Sequence, residues 1–204
     1  MATNTTEAVP TGAIRYNTDS NKMECFNGTK WMQVAVSSPD LNGGARAFVA
    51  GGTFPSNTDI ITAVNTSSSG TSEDFGNLTQ TVQVAGSGSS RTRAVRLGGH
   101  TGSVTDTIDY WTMSSSGDAI DFGNLFEKVR SNGACSNQTR ALFSGGYDGS
   151  SGGTLNLIDL VTITSTGNAN DFGDLTNRKE SGSCCASPTR GLIHGGRQQP
   201  ANST

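Results

Sequence analysis

The sequence predicts an all-β fold built from a repeated unit of about four short strands, and three observations support this prediction. An Arg-apolar-Gly-Gly motif recurs along the chain, and an Asp-Phe-Gly-Asp/Asn-Leu motif follows each of its first three copies. The runs between these motifs are short, alternate apolar with polar residues, and end in Gly, Ser or Asn turns. No segment carries apolar residues at a sustained helical spacing. Such a fixed period indicates a repeat protein.

Two series of positions set the period of the repeat. The copies open at arginines that are 47, 47 and 50 residues apart, namely Arg46, Arg93, Arg140 and Arg190. The phenylalanines of the second motif keep the same steps, at Phe75, Phe122 and Phe172. The three additional residues of the last interval fit into residues 148–153, whose composition is typical of a loop.

The copy from Arg93 to Thr139 shows the unit most clearly. Residues 94–97 form an apolar run that stops at two glycines, and residues 107–113 alternate as a half-buried strand does. Residues 119–122 form a third strand, and residues 131–136 have only small side chains, as expected of a strand in a crowded place. Four strands with a double glycine after the second indicate a propeller blade, so we expect a small β-propeller with about four four-stranded blades.

The two ends of the chain fall outside the regular copies. Residues 1–11 are polar and are expected to form an arm, and residues 197–204 form a polar tail. Residues 12–36 contain Asn27-Gly28 between two apolar runs, which predicts a β-hairpin of residues 23–26 and 30–34.

The fourth copy offers only the first two strands of a blade, at residues 181–187 and 191–194. The N-terminal hairpin could supply the other two, so that the last blade is shared between the N- and C-termini and the ring closes without free edges. The alternative is an open array that completes itself by oligomerising.

Composition and charge exclude several classes of partner. The net charge is −3 and the basic residues are dispersed, so neither nucleic acid nor a membrane surface is an expected partner. No apolar stretch approaches a transmembrane span and no signal-peptide core is present, so we expect assembly in a cytoplasm. The four cysteines are expected to be reduced, with Cys135 and Cys185 buried as small residues.

The repeats over residues 46–196 resemble kelch repeats, and more closely the kelch-like repeats of bacteriophage structural proteins, in which Arg-apolar-Gly-Gly and Asp-Phe-Gly-Asp/Asn-Leu recur. They lack the regular Tyr and Trp of cellular kelch blades, because Trp111 has Val64 and Val161 at the matching positions. The segment Thr-Gly-Ala-Ile-Arg-Tyr-Asn-Thr-Asp at 11–19, followed by Asn27-Gly28 and a tryptophan, resembles a motif of phage tail-fibre proteins.

This resemblance implies a non-enzymatic virion protein, located in a tail fibre, a tail appendage or the capsid surface. It implies attachment to other virion proteins through the N-terminal region, presence as a homo-oligomer or in many copies, and contact with a host surface glycan or protein. A cellular kelch-type interaction module or a lectin-like module is the alternative, and a propeller hydrolase ranks below both.

The residues that recur in every copy are expected to be structural. They either pair between neighbouring blades or hold backbone carbonyls, and they are Arg46, Arg93, Arg140, Arg190, Asp74, Asp121 and Asp171. Function should lie where the copies differ, in the loop after each double glycine. Those loops place four residues on one face, a candidate surface for glycan or protein contact: Phe54, His100, Tyr147 and Arg197. The alternative is that these four are ordinary variable loop residues.

No catalytic residue, cofactor or metal is predicted. A glycosidase needs two converging carboxylates, whereas glutamates are scarce here and many of the aspartates recur with the repeat. A copper centre needs several His and Tyr ligands, and the chain has two histidines. Asp-Phe-Gly also occurs in protein kinases, but the glycine-rich loop, strand lysine and catalytic loop of a kinase are missing from this sequence.

Overall fold

The computed structural model describes residues 9–34, 46–53, 55–150 and 153–198, and all regular structure in them is β-strand. Among these residues there is no helix long and apolar enough to span a membrane. The chain divides into two compact units, Met1–Asp40 and Leu41–Thr204. The strands of the first unit are β1 (Ile14–Asn17), β2 (Lys22–Phe26) and β3 (Trp31–Gln33).

The strands of the second unit follow the repeat. The first and second repeats contain β4 (Arg46–Ala50), β5 (Ile60–Asn65), β6 (Glu73–Asn77), β7 (Gly86–Ser89), β8 (Arg93–Leu97), β9 (Thr107–Thr112) and β10 (Ile120–Asn124). The third and fourth repeats contain β11 (Gly133–Ser136), β12 (Arg140–Ser144), β13 (Leu157–Thr162), β14 (Asn170–Asp174), β15 (Glu180–Ala186) and β16 (Gly191–Arg197).

Each repeat folds as an antiparallel meander, in which strands that are consecutive in the chain pair with each other. Strands β7 to β10 form one four-stranded sheet and β11 to β14 form the next. The first repeat has three described strands, β4 to β6, and the fourth has two, β15 and β16. The predicted all-β class is therefore confirmed, and the predicted four-stranded unit is present twice in full.

The double glycine ends the second strand because the backbone there turns into a conformation that other residues rarely adopt. Gly98 and Gly99 have φ angles of +63° and +115°. A Cβ atom on Gly98 would also collide with the carbonyl oxygen of Val129. The same oxygen accepts a hydrogen bond from the N–H of Gly99 at 2.7 Å. The glycines thus hold the end of the second strand against the segment that follows the fourth.

The Asp-Phe-Gly motif is a β-bulge in the fourth strand. The pairing of β10 with β9 shifts between Asp121 and Gly123, so Phe122 is the additional residue of the bulge. The carboxylate of Asp121 accepts a hydrogen bond from the N–H of Gly123 at 3.1 Å. The bulge places the phenyl ring of Phe122 in the buried core.

The hydrophobic core lies between successive sheets. Phe75 of the first repeat packs with Trp111 of the second, and Phe122 of the second packs with Val161 and Ile163 of the third. Burial of each such side chain contributes about 1.5–3 kcal/mol, so the contact between sheets is a main source of stability.

Backbone hydrogen bonds repeat the same junction between sheets. The N–H groups of Gly117 and Ala119, in the turn between β9 and β10, donate to the carbonyls of Phe75 and Asn77 at 2.9 and 2.7 Å. One repeat later, equivalent bonds of 2.8 Å run from Gly167 and Ala169 to Phe122 and Asn124. Each repeat thus docks the turn before its fourth strand onto the bulge of the repeat before it.

The small-residue first strands also pack against each other. The N–H of Ser89 in β7 donates to Ser136 Oγ in β11 at 2.9 Å, and a Cβ atom on Gly88 would lie 3.2 Å from the Cβ of Ser136. The sequence prediction of a crowded position for these strands agrees with this spacing.

The bulge of the third repeat, at Phe172 and Gly173, is more exposed than the equivalent bulges of the first two repeats. Phe172, which corresponds to Phe75 and Phe122, is 57% exposed. A Cβ atom on Gly173 would meet nothing within 4 Å. Cys185 in β15 is exposed, so the prediction that it is buried together with Cys135 is wrong for Cys185. The cause is that its strand lies at the end of the described array, whereas the thiol of Cys135 lies close to the fourth repeat, at Gly191.

The N-terminal unit contains the predicted hairpin and one strand more. Asn27 Oδ1 accepts hydrogen bonds from the N–H groups of Thr29 and Lys30 at 3.0 and 2.9 Å, which fixes the turn between β2 and β3. On its other edge β2 pairs with β1. Both edges of β2 are thus paired within its own sheet. That the N-terminal hairpin completes the last blade with the fourth repeat stays a prediction.

The bulge glycines allow a matched test of the junction between repeats. Gly123 and Gly173 have φ angles of +142° and +141°, so alanine carries the same backbone strain at either position. At Gly123 the new Cβ would lie 2.5 Å from the carbonyl oxygen of Gly167, whereas at Gly173 it meets nothing within 4 Å. We expect Gly123→Ala to lower the free energy of unfolding by about 1–3 kcal/mol more than Gly173→Ala, as overpacking does. Urea unfolding of both variants measures the difference, and equal losses would contradict the junction.

Candidate functional site

The candidate contact surface is the loop face, which comprises Arg197, the segment after β10 at residues 125–130, and the described residues of the loops after the double glycines, at 53, 55–58, 100–106, 147–150 and 153–156. Phe54 lies outside the described residues. His100 and Tyr147 are half-buried, and Arg197 is exposed. The face lies at the end of the sheets opposite the turns that join third and fourth strands.

The three described candidate residues, His100, Tyr147 and Arg197, occupy equivalent positions in their repeats. His100 forms a β-bridge with Gln83, and Tyr147 forms one with Arg130. Arg197 pairs with Glu180 in the same register, and its Nε lies 3.5 Å from a carboxylate oxygen of Glu180. Each candidate thus sits beside the segment that enters its own repeat, where the backbone is fixed and the side chain differs from copy to copy.

The structure brings neighbouring loops of this face into contact. Asn57 Nδ2 of the first loop donates to the carbonyl of His100 in the second at 3.2 Å. A Cβ atom on Gly149 of the third loop would lie 2.9 Å from Val104 Cγ2 of the second. The first three loops therefore form one continuous surface. Whether it binds a ligand stays a prediction.

Two residues of the loop face were missed by the sequence analysis. Phe126 is 68% exposed and follows the fourth strand of the second repeat. The guanidinium of Arg130 lies 4.8 Å from the centre of the Tyr147 ring. Phe126 stands where the other copies have Thr79 and Thr176, so the rule that function lies where copies differ would have found it.

Two of the repeated arginines hold backbone carbonyls of the next repeat. Arg46 Nη1 donates to the carbonyl of Met113 at 3.0 Å. Arg93 Nη1 donates to the carbonyl of Ile163 at 3.2 Å, and its guanidinium lies 4.7 Å from the centre of the Tyr110 ring. The sequence left open whether the repeated arginines pair between neighbouring blades or hold backbone carbonyls. Arg46 and Arg93 hold backbone carbonyls. Arg46, Arg140 and Arg190 are exposed, and Arg93 is half-buried.

The repeated aspartates serve their own strand. Asp171 Oδ1 accepts a hydrogen bond from the N–H of Gly173 at 2.9 Å, as Asp121 does from Gly123. Asp74, in the same position of the first repeat, is exposed. In the second and third repeats the aspartate thus stabilises the bulge.

The second repeat contains a buried ion pair that the sequence did not reveal. Arg96 and Asp109 are both buried and form a salt bridge between β8 and β9. Thr79 Oγ1 donates to the second carboxylate oxygen of Asp109 at 2.5 Å, and Arg96 Nη1 donates to the carbonyl of Thr107 at 3.2 Å. A charged pair at this depth is tolerated because hydrogen bonds satisfy both partners.

The third repeat keeps the buried carboxylate without the arginine. Asp159 corresponds to Asp109, and Phe143 stands in the place of Arg96. The N–H of Phe126 donates to one oxygen of Asp159 at 3.2 Å, and the other oxygen has no hydrogen-bond partner in the described structure. Burial raises the pKa of Asp159 to about 6, with smaller contributions from the charges of Asp171 and Glu127.

The remaining thiols and acids do not form a metal centre in the part of the chain that the structure describes, where no three His, Cys, Asp or Glu side chains gather. The described cysteines are free thiols. Burial raises the pKa of the Cys135 thiol and of the Cys184 thiol. This disfavours the thiolate, which is the nucleophilic and metal-binding form.

A groove of about 590 Å³ runs beside β4 and is lined by β4, by residues 82–89 and by Trp111. In the two complete repeats, the equivalent edge of the second strand pairs with a small-residue first strand. Among the described residues β4 pairs with β5 alone. The groove therefore stands where a first strand would lie, and we assign it to the repeat architecture.

Comparison of the chain with models of protein families and with curated proteins gives no match.

The unpaired carboxylate of Asp159 predicts a specific pH dependence of stability. Its folded pKa of about 6 lies above the ordinary value of 3.8, so its contribution to stability is full below about pH 4 and is lost as the pH rises through 6. We expect Asp159→Asn to raise the free energy of unfolding at pH 7.5 by up to about 3 kcal/mol, and the gain to vanish near pH 4.

Urea unfolding of the wild type and the variant across this pH range measures the effect. Asp109→Asn is the matched control, because it leaves the Arg96 guanidinium buried without a counter-ion and should cost about 3–5 kcal/mol at pH 7.5. A loss of stability in Asp159→Asn at pH 7.5 would contradict the assignment.

Proposed function

We propose that this protein is a non-enzymatic structural component of a bacteriophage particle, placed in a tail fibre, a tail appendage or the capsid surface. Its repeats are blades of a small kelch-like propeller of about four blades, and the last blade combines strands from N-terminal and C-terminal segments. One observation carries the proposal beyond the sequence resemblance: four of the repeated polar side chains (Arg46, Arg93, Asp121 and Asp171) hold the backbone of the repeats, whereas the loop face presents side chains that differ from copy to copy.

The contacts of the arginines support a scaffold role. Arg46 and Arg93 donate to backbone carbonyls of the following repeat. A guanidinium held in this way has fewer donors to offer to a carboxylate or phosphate ligand. The recurring charge of the chain is thus used to fix one repeat against the next.

The buried acids support a non-enzymatic role. General acid–base work at a sugar or ester needs a carboxyl group that substrate can reach. Asp109 is buried and bound to Arg96. Asp159 is buried between strands, where the N–H of Phe126 contacts it. A carboxyl group buried at either position affects the stability of the fold and is not accessible to a substrate.

The loop face supports a role in recognition. It presents an imidazole, a phenol with a stacked guanidinium, and the exposed ring of Phe126. Aromatic rings with polar edges suit shallow contacts with glycans or protein loops. Such contacts are individually weak, and display of many copies on one particle strengthens them. In this proposal the N-terminal region binds other virion proteins, and the protein is assembled in the host cytoplasm.

The first experiment locates the protein. Mass spectrometry of purified particles should detect it at several copies or more per particle, and an antibody against it should label the tail or the capsid surface in electron micrographs. Absence from purified particles would refute the proposal.

The second experiment tests the loop face. Phages that carry His100→Ala together with Tyr147→Ala should assemble normally and adsorb to host cells about tenfold more slowly or worse, as expected for a weak contact that is multiplied by avidity. Ser116→Ala with Thr166→Ala is the matched control, because these exposed residues lie on turns at the opposite end of the sheets. Normal adsorption by the loop variant would place recognition elsewhere.

A further inference from the structure

The first strands of the third and fourth repeats, β11 and β15, pack against each other with a cysteine from each strand at their contact. A Cβ atom built on Gly133 of β11 would lie 2.7 Å from Cys184 Sγ of β15. The same sulfur lies 3.8 Å from Ser144 Oγ, and Ser144 is the residue that pairs with Gly133. Cys184 therefore points at the third repeat, at the level of Gly133.

Cys135 points from the third repeat toward the fourth. It lies two residues after Gly133 on β11, so its side chain is on the same face of the strand. Its Sγ would lie 3.2 Å from a Cβ atom on Gly191. Gly191 pairs with Ala186, which is two residues after Cys184 on β15. Each thiol is thus placed against the strand that carries the other, and the two sulfur atoms approach each other across the junction.

The two thiols also interact with each other. Burial raises the pKa of Cys135 and of Cys184, and a side-chain hydrogen bond between them is among the smaller contributions for both. A disulfide needs Cβ atoms about 3.5–4.5 Å apart and side chains that point toward each other. Thiols on facing strands within hydrogen-bonding reach satisfy the second condition, and rotation about the side-chain bonds brings them to the first.

The equivalent junction between the second and third repeats is closed by a hydroxyl group. The N–H of Ser89 donates to Ser136 Oγ at 2.9 Å, and this hydroxyl donates to the carbonyl of Ser89 at 2.8 Å. One repeat later, Ala186 stands in the place of Ser136 and has no hydroxyl. The equivalents of Cys135 and Cys184 one repeat earlier are a glycine and an alanine. The last junction therefore lacks the hydroxyl and has a pair of thiols beside its position.

We propose that Cys135 and Cys184 form a disulfide that joins the fourth repeat to the third when the protein meets a low-molecular-weight disulfide as oxidant. Cys184 is half-buried and Cys135 is buried, so the oxidant reaches Cys184 first. The thiolate of Cys184 attacks one sulfur of the oxidant, forms a mixed disulfide and releases one thiolate. The thiolate of Cys135 then attacks Cys184 Sγ and displaces the second.

The exchange balances without any further reagent. Two protein thiols are oxidised to one disulfide, and one oxidant disulfide is reduced to two thiols, which take up the two protons that the cysteines lose. Because burial disfavours both protein thiolates, the reaction is slower at neutral pH than at higher pH. In a reducing cytoplasm the pair stays as thiols, as expected from the sequence.

The link acts where the repeat array has the least support. The fourth repeat contributes two described strands, and the neighbouring bulge of the third repeat is exposed at Phe172. A disulfide from Cys135 to Cys184 closes a loop of about 50 residues and so lowers the entropy of the unfolded chain. The oxidised protein should therefore resist opening at this junction better than the reduced protein. The inference concerns the chain alone and does not depend on the proposed particle.

The experiment uses the full chain with Cys25→Ser and Cys185→Ser, in which only the two facing thiols remain. The reduced protein is treated with 4,4′-dithiodipyridine, a small disulfide. We expect the intact mass to fall by two hydrogens with no reagent group retained, and peptide mapping to find Cys135 linked to Cys184. The urea midpoint should rise by roughly 1 M and return to its first value after reduction.

The matched control also keeps two thiols. Cys25→Ser with Cys135→Ser leaves Cys184 and Cys185, which are adjacent in β15 but point to opposite faces of the strand. It should retain two reagent groups and show no rise of the urea midpoint. Two retained groups in the Cys25/Cys185 variant would overturn the proposal. So would an unchanged or lower midpoint after the link has formed, or a wild-type link that joins Cys185 in place of Cys135. If a substituted chain fails to fold, the link mapped in the wild-type chain decides.

Discussion

The contact between the Phe-Gly bulge of one repeat and the turn of the next is the constraint on which the rest of the structure depends. It joins burial of the phenyl ring, two backbone hydrogen bonds and an approach so close that a Cβ atom on Gly123 would lie 2.5 Å from the carbonyl of Gly167. Arg93, which opens the second strand, donates to the carbonyls of Ile163 and Thr164, just before the same turn. These contacts require the bulge, the turn and the arginine in one register, which is why the period is so regular.

The interior tolerates variation where the junction does not. Arg96 and Asp109 form a buried ion pair in the second repeat, whereas the third repeat has Phe143 and an unpaired Asp159 at the same two positions. Each arrangement places two buried side chains opposite each other on the second and third strands. The first leaves no unpaired charge, and the second leaves a carboxyl group whose pKa burial raises to about 6. Stability can thus differ between repeats whose backbones are alike.

Much of the fold could be predicted from the sequence because the residues that form the junction between repeats recur in several copies. The double glycines, the strand boundaries and the bulge phenylalanines each recur, and a feature that recurs is visible without coordinates. The partners of Arg46 and Arg93 could not be predicted, because a guanidinium can donate to a carboxylate or to a carbonyl, and the position of the turn decides which acceptor it meets. The Arg96–Asp109 pair occurs once, so no repetition reveals it.

On the loop face, three of the four candidate residues lie at equivalent positions of their repeats. Phe126 was not predicted because only the loops after the double glycines were expected to differ in function between copies.

The two ends of the sheets differ in how freely they can change. The end that carries the turns between third and fourth strands provides the carbonyls and N–H groups that the neighbouring repeat uses, so a change in the length or backbone path of these turns disturbs the junction. The loop face is held mainly by backbone bridges such as that of Tyr147 with Arg130, which do not depend on the side chain. New side chains can therefore appear on the loop face without loss of fold.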